Sequence, residues 1–203
     1  MKKAAESREI PEHDLIEAAK GGDRRAFSAL VRRYEDTVYR FALKVCQDPD
    51  KASETLQDTF INVFRKLHTF DGRSKFSTWL YTIVTNNCLM KHRRRKRDLL
   101  EESLEAFDEG PGGDQKDGHP SIARWEHTPA HAVLEAELRQ VLEEAIQALP
   151  PEYRAVFVLR DMEEKTTEET ARIVGISVEA AKSRLRRARA FLRSRLDPYV
   201  RAA

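Results

Sequence analysis

Apolar residues recur every three or four positions along most of the chain, which is the spacing expected of helices that each bury one face. Asp23 is predicted to cap the first long helix, and Asp48 followed by Pro49 is predicted to begin the second. The apolar stripe of the first helix consists of Phe27, Leu30, Val31, Tyr34, Val38, Phe41 and Val45. The stripe of the second helix consists of Leu56, Phe60, Val63, Phe64 and Leu67.

A third long helix is predicted to begin with Ser77 as its cap and to run into the basic block KHRRRKR at residues 91–97. Its apolar positions include Trp79, Leu80, Ile83 and Val84, with Asn87 on the same side. Periodicity then disappears between residues 98 and 127, where glycine and proline alternate with acidic residues, as is typical of a flexible linker. A helical pattern restarts at Thr128, a predicted cap, and Pro129.

The pattern contains no strand-like alternation, and we therefore predict an all-α fold of two small helical domains joined by a linker. The predicted division is an N-terminal extension with a first helix (1–22), a helical domain (23–97), a flexible acidic linker (98–128) and a second helical domain (129–198).

A helix-turn-helix is predicted within the second domain. A short helix at about 167–174, in which Ala171 permits a close crossing, is followed by Gly175, which allows the sharp turn, and by Ile176, which fills it. Ser177 is then predicted to cap a second helix. The apolar stripe of that helix consists of Val178, Ala181, Leu185, Ala188 and Leu192.

The remaining faces of this second helix are strongly basic. They carry Lys182, Ser183, Arg184, Arg186, Arg187, Arg189 and Arg193. Nineteen residues form a rod of about 28 Å, long enough to cross a major groove. One alternative is an ordinary solvated face. However, like charges four residues apart repel one another, as Lys182 with Arg186 and Arg189 with Arg193 would, and no acidic residue of this segment is expected to pair with them. A polyanion is the simplest compensation, so the segment predicts contact with DNA.

Composition alone is less informative, since the formal net charge is only +2. No run of about 18 apolar residues is present, so membrane insertion is not expected. The N-terminus lacks the apolar core of a secretory signal. Cys46 and Cys88 have no metal-ligand spacing and lie in apolar helical patterns, which predicts reduced, buried thiols. We therefore expect a cytoplasmic protein.

Two blocks of the chain, in this order, are AFSALVRRYEDTVYRFALKVCQDPDKASETLQDTFINVFRKLHTFDGRSKFSTWLYTIVTNNCLMKHRRRKR and LPPEYRAVFVLRDMEEKTTEETARIVGISVEAAKSRLRRAR. The first block resembles region 2, and the second resembles region 4, of extracytoplasmic-function (ECF, group IV) sigma factors of the sigma-70 family. In that family, region 2 binds the polymerase clamp and melts the −10 element, whereas region 4 docks on the −35 element. The resemblance implies a chain that directs core RNA polymerase to promoters.

The resemblance also implies roles for individual residues. Polymerase contact falls to Leu56, Gln57, Asp58 and Phe60, of which Leu56 and Phe60 also fit a buried core. Contact with the −10 element falls to Asp71, Gly72, Arg73, Ser74, Lys75, Trp79, Asn86, Lys91, Arg93 and Arg94. Contact with the −35 element falls to Ser177, Lys182, Ser183, Arg184, Arg186, Arg187 and Arg189. Arg186 and Arg187 are the first choices for reading bases, since arginine with guanine is the commonest specific pairing.

Three positions depart from the family's usual residues. Thr167, Thr170 and Ala181 are smaller or more polar than the side chains found there, and they predict a looser core in the second domain.

The partners implied by the resemblance are core RNA polymerase, through its clamp and flap, promoter DNA and an anti-sigma factor. No catalytic constellation is apparent, so neither an enzymatic activity nor a small-molecule substrate is predicted. An autonomous helix-turn-helix regulator is the alternative, although it leaves the aromatic-rich 60–81 segment without a purpose. His119, His127 and His131 suggest zinc only weakly, because Pro129 places His127 before the helix. No metal or cofactor is predicted.

Overall fold

The computed structural model describes residues 10–98 and 129–200, of which the side chains at 93–98, 129–138 and 199–200 are not described. Within these ranges every regular element is helical, which confirms the predicted all-α class. The α-helices are α1 (Glu12–Lys20), α2 (Arg24–Cys46), α3 (Pro49–Lys66), α4 (Phe76–Asp98), α5 (Pro129–Ala148), α6 (Pro151–Phe157), α7 (Thr167–Val174) and α8 (Val178–Val200). The chain divides into two compact units between Lys91 and His92. Apart from Asp98, the predicted linker lies outside the described residues, as does Thr128.

The helix starts in the first unit follow local sequence signals. The Asp23 carboxylate accepts hydrogen bonds from the backbone amides of Arg25 and Ala26 at 2.7 and 3.2 Å, so the predicted cap of α2 is confirmed. Asp48 caps α3 in the same way, with Pro49 as its first residue. The predicted cap at Ser77 is wrong, because α4 begins at Phe76 and places Ser77 inside the helix.

The buried face of α3 matches the predicted one only at Val63, although Leu67, directly after the helix, is also buried as predicted. Its buried residues are the small or β-branched Ala52, Thr55, Thr59 and Val63. Leu56 and Phe60 are only half-buried, and the Phe64 side chain is turned outward with 63% of its surface exposed. Small side chains allow a helix to approach its neighbours closely, and this close packing places the larger apolar residues of α3 outside the core.

The core of the first unit is assembled from all four helices. Its largest fully buried side chains are Leu30, Val38, Phe41, Val63 and Val84. Phe41 of α2 packs edge-on against Tyr81 of α4, with ring centroids 4.9 Å apart. The Tyr34 hydroxyl donates to the Glu12 carboxylate and so attaches α1 to α2. Packing between α2, α3 and α4 therefore positions the surfaces that are described below.

In the second unit, α8 packs its apolar stripe against α5 and α6. Ala145, Ile146 and Leu149 of α5 and its C-terminal turn form one buried cluster with Ala188 and Leu192. The predicted stripe on α8 is confirmed at Ala181, Leu185, Ala188 and Leu192, which are all buried, while Val178 is half-buried.

The C-terminal end of α5 is held by a buried arginine. Arg154, 7% exposed, donates from Nε to the Ile146 carbonyl at 3.0 Å and from Nη2 to the carbonyls of Gln147 and Leu149 at 2.6 and 2.7 Å. The last carbonyls of a helix have no partner within the helix, and a cation there also suits the helix dipole. Arg154 therefore fixes the α5–α6 corner.

The predicted helix-turn-helix is confirmed. Thr166 and Glu169 form a capping box at the start of α7, and Gly175 ends that helix with a left-handed φ of 74°. Such a φ is accessible to glycine at little cost, so Gly175 permits the tight turn into α8. The Ser177 hydroxyl then accepts the Ala180 amide at 3.1 Å and caps α8 as predicted.

The three unusual residues lie in or beside this motif. Thr170 is fully buried, and its hydroxyl has no hydrogen-bond partner among the described residues. Ala181 is 1% exposed, whereas Thr167 is half-buried at the first position of α7. The Thr170 hydroxyl inside the core is consistent with the looser packing expected from the sequence. That looser packing itself stays a prediction.

Candidate nucleic-acid interface

The first turns of α8 carry the basic surface of the second unit. Lys182 and Arg186, which lie one turn apart, are exposed, and Ser183 and Arg184 beside them are half-buried. Ser177 is exposed at the helix start, where its hydroxyl is occupied by the cap described above. This surface combines cations with the N-terminal end of a helix, and both attract phosphate.

Acidic partners do exist for part of this basic face, contrary to the prediction. Arg189 forms a two-pronged ion pair with Asp161, from Nε to Oδ2 at 3.0 Å and from Nη2 to Oδ1 at 2.7 Å. Lys182 contacts Glu179 at 3.1 Å, one turn earlier on α8. Arg187 is half-buried, and its Nη1 lies 3.4 Å from the Tyr153 hydroxyl. Arg187 and Arg189 therefore connect α8 to neighbouring elements of the second unit.

In the first unit, the predicted loop between residues 70 and 76 contains an acid, Asp71, that bonds to a neighbouring residue of the same loop. The Asp71 carboxylate accepts the Arg73 amide at 3.0 Å and pairs with the Arg73 guanidinium at 3.1 Å. Gly72 has a left-handed φ of 74°, and the Arg73 side chain is 90% exposed. Lys75 is exposed and Ser74 half-buried. The loop thus offers two cations and several polar groups to solvent.

Aromatic rings support this loop from below. Phe70 packs edge-on against Phe76, with centroids 5.4 Å apart, and tilts against Trp79 at 5.5 Å. Phe70 and Phe76 are buried, whereas Trp79 is half-buried. The Trp79 ring is therefore partly core and partly a surface next to the loop, so that both of its predicted roles are compatible with its position.

Two adjacent asparagines of α4 have different surroundings. Asn86 is exposed. Asn87 is half-buried, where its Nδ2 donates to Thr59 Oγ1 at 3.0 Å and its Oδ1 accepts from Asn62 Nδ2 at 3.1 Å. The bonds of Asn87 fix α4 against α3 and direct Asn86 outward.

Lys91, a predicted DNA contact, is paired with acids of α3. Its Nζ lies 2.9 Å from the Asp58 carboxylate and 3.2 Å from that of Glu54. Partial burial acts to lower the pKa of Lys91, but the hydrogen bonds to Asp58 and Glu54 together outweigh it and raise that pKa. The side chains of Arg93 and Arg94, further along α4, lie outside the described residues.

The outward face of α3 is unusually apolar. Gln57 is exposed and Asp58 partly so, as predicted for polymerase contact, and half-buried Leu56 and Phe60 adjoin them. The sequence interpretation missed Ile61, which is 48% exposed, and placed Phe64 in the core. The signal that was overlooked is the second stripe on α3, made of Ala52, Thr55 and Thr59, which occupies the core instead.

The histidines that weakly suggested a zinc site are mostly not described by the structure. Among the described residues no cluster of three or more metal-ligating side chains is present. His119 and His127 lie outside the described residues, and the side chain of His131 is not described. None of the helices in the described ranges has the length and apolar character needed to span a bilayer.

Both units match known protein families. Residues 30–98 match the family Sigma-70 region 2, and residues 139–192 match Sigma-70, region 4. The ECF RNA polymerase sigma factor SigW of Bacillus subtilis is 32% identical over 181 residues, covering 89% of this chain and 94% of that protein. The ECF RNA polymerase sigma-E factor of Escherichia coli K12 is 31% identical, covering 96% of this chain and 99% of that protein. The chain therefore belongs to the ECF sigma factors of the sigma-70 family.

Two solved structures share the fold. The sigma factor RpoE of Bartonella quintana, in complex with the anti-sigma factor NepR, aligns with a TM-score of 0.59 at 24% identity, over 84% of this chain and 96% of that one. CnrH in complex with the cytosolic domain of CnrY also aligns with a TM-score of 0.59, at 25% identity, over 92% of this chain and 97% of that one.

Proposed function

We propose that this chain directs core RNA polymerase to promoters by contacting a −35 element with α8 and a −10 element with the first unit. The observation that carries the proposal is the surface on α8, where Lys182 and Arg186 are exposed directly after the Gly175 turn and the Ser177 cap. A helix in this position of a helix-turn-helix enters the major groove with its N-terminal residues.

The surroundings of each side chain suggest a division of labour on α8. Arg186 is exposed and long enough to reach the O6 and N7 acceptors of guanine, so we assign it base readout. Lys182, Ser183 and Arg184 are assigned to phosphates and nearby base edges, and Arg187 contributes from a half-buried position. Arg189 is better explained as a residue that holds α8 through Asp161, although the sequence alone predicts a DNA contact.

The loop of the first unit suits an unpaired base of the −10 element. Reading such a base requires polar groups for its edge and an aromatic surface nearby. Asp71, Arg73 and Lys75 supply the polar groups, Trp79 supplies a half-exposed ring, and Asn86 lies exposed on the helix that follows the loop. Melting of the −10 element would be stabilised by this capture of a displaced base.

Protein partners are expected at α3. An apolar surface bordered by polar groups is typical of a protein interface, and Leu56, Gln57, Phe60 and Phe64 form such a surface. We assign it to the polymerase clamp, and the second unit to the flap. Since the Bartonella RpoE of similar fold is bound by an anti-sigma factor, we propose that this chain is also controlled by one.

Run-off transcription with purified core polymerase tests the proposal. Core enzyme with this chain should initiate at defined promoters, whereas core enzyme alone should not. Arg186→Ala should reduce initiation about 5- to 150-fold, which is the effect of about 1–3 kcal/mol for a bidentate base contact. Arg139→Ala, at an exposed position on α5, is the matched control. Binding of DNA without any initiation would favour the alternative, an autonomous helix-turn-helix regulator.

A further inference from the structure

Two cysteines that are distant in sequence meet where three helices cross. Cys46 is the last residue of α2, and Cys88 lies within α4. Their Sγ atoms are 3.1 Å apart, although 42 positions separate them along the chain. Thr55 of α3 lies beside them, with its hydroxyl 3.8 Å from the Cys46 sulfur.

We propose that Cys46 and Cys88 are a redox modification site, at which a hydroperoxide converts the two thiols into an intramolecular disulfide that locks α2 to α4. A disulfide has a sulfur–sulfur distance of about 2.05 Å, so the sulfur atoms need to approach by only about 1 Å. The oxidised domain should therefore keep its fold. Disulfides in reducing compartments are usually transient or redox-sensing, which is the role assigned to this pair.

The reaction begins at the more accessible sulfur. Cys46 is half-buried, whereas Cys88 is 4% exposed. The neighbouring Cys46 thiol and burial both raise the pKa of the Cys88 thiol. Because Cys88 is also the less accessible of the two sulfurs, it is the poorer first nucleophile and the resolving thiol of the pair.

The chemistry is balanced with the hydroperoxide as the oxidant. The Cys46 thiolate attacks one oxygen of the peroxide, the O–O bond breaks, and Cys46 becomes a sulfenic acid while hydroxide or alkoxide leaves. Cys88, on losing its proton, then attacks the Cys46 sulfur, the S–S bond forms, and the sulfenic oxygen leaves as water. In total, the two thiols lose two protons and two electrons, and the peroxide is reduced to water or to water and an alcohol.

The location of the pair determines what the disulfide does. The bond would close a loop that contains all of α3 and the loop at residues 71–75, and closing a loop stabilises a fold chiefly by restricting the unfolded chain. It would also fix α4 between Asn86 and Lys91. We therefore expect a more stable first unit with unchanged surfaces, rather than an unfolded or inactive one.

Treatment of the full-length protein with hydrogen peroxide tests this inference. The thiol count in denaturant should fall from two to zero, the intact mass should fall by two hydrogens, and a peptide map should join the peptides of Cys46 and Cys88 within one chain. The melting temperature of the first unit should rise by about 10 °C or more, and a reducing agent should reverse every change.

Single-thiol variants supply the controls. Cys46→Ser and Cys88→Ser should show no such rise in melting temperature, and Cys88→Ser should accumulate a sulfenic acid at Cys46 that dimedone traps. Cys88→Ala serves if the serine destabilises the buried position. Disulfides between chains, overoxidation of Cys46 with an intact Cys88 thiol, or two unchanged thiols after prolonged exposure would each overturn the inference. The inference stands apart from the proposed function, which is tested with reduced protein in the transcription assay.

Discussion

The ion pair between Arg189 and Asp161 should hold α8 to the turn that follows α6. Solvent screens the pair only in part, because the Arg189 side chain is 34% and the Asp161 side chain 23% exposed. Fully exposed pairs contribute about 0.2–1 kcal/mol, and two-pronged arginine–carboxylate pairs exceed them. We therefore expect a coupling free energy of about 1–2 kcal/mol between these two side chains.

A double-mutant cycle measures this coupling. Asp161→Ala and Arg189→Ala should each speed hydrogen exchange at the slow backbone amides of α8 by about 5- to 30-fold, and the double variant should exchange no faster than either. Mass spectrometry of α8 peptides from the intact protein reports this region alone, which avoids treating a chain of two units as two-state. Arg186→Ala is the matched control and should leave exchange unchanged.

The DNA-binding effects of the same variants should separate the two arginines. Arg186→Ala should weaken promoter binding without loosening α8, whereas Asp161→Ala and Arg189→Ala should weaken it to similar extents. Additive exchange effects, with a coupling below about 0.3 kcal/mol, would contradict this reasoning, since independent sites add within that margin. Arg189 would then revert to the DNA-contacting role that the sequence predicts.

Three further predictions follow from buried or exposed single side chains. Thr170→Val should stabilise the second unit by about 1 kcal/mol, because it removes a buried hydroxyl that has no partner within the part of the chain that the structure describes, and Thr167→Val should change little; a lower melting temperature for Thr170→Val would contradict this. Arg154→Met should cost at least about 3 kcal/mol, measured by hydrogen exchange at the slow amides of the second unit, because three carbonyls lose the Arg154 donor, and Arg154→Lys should restore little of it. Phe64→Ser should weaken binding to core polymerase about tenfold in a pull-down titration; it should also lower the melting temperature of the first unit by about 2–8 °C, because Phe64 packs edge-on against Phe27 with ring centroids 5.1 Å apart. Equal binding would remove Phe64 from the proposed interface.

The sequence predicted best those features that arise from neighbouring residues. Asp23 and Asp48 cap their helices, and Gly175 and Ser177 make the turn into α8, because each acts on backbone groups within four positions. Gly175 and Ser177 also lie within the segment that resembles region 4. Ser77 shows the limit of such signals, since a helix end can shift by one or two residues with little change in energy.

The face of α3 could not be derived from periodicity. Leu56, Phe60 and Phe64 recur at a helical spacing, but so do Ala52, Thr55 and Thr59. Hydropathy favours the first set as the core. Close approach of neighbouring helices favours the second set, and that depends on the whole unit rather than on α3. A stripe of small residues opposite large apolar ones therefore indicates a helix that both packs tightly and presents an apolar surface.

Contacts between distant residues give a physical reason to expect less DNA contact than the charge pattern alone predicts. Asp161 lies 28 positions before Arg189 along the chain, and Asp58 lies well before Lys91, so neither acid belongs to the basic segment that it neutralises. Each acid stabilises its cation in the absence of DNA, and a phosphate must displace it before the cation adds to binding. The net gain from such a cation is accordingly smaller than that from exposed Arg186. Among the described basic residues of α8, Arg186 should therefore contribute most to promoter selection, and Arg189 should contribute mainly by fixing the helix that carries it.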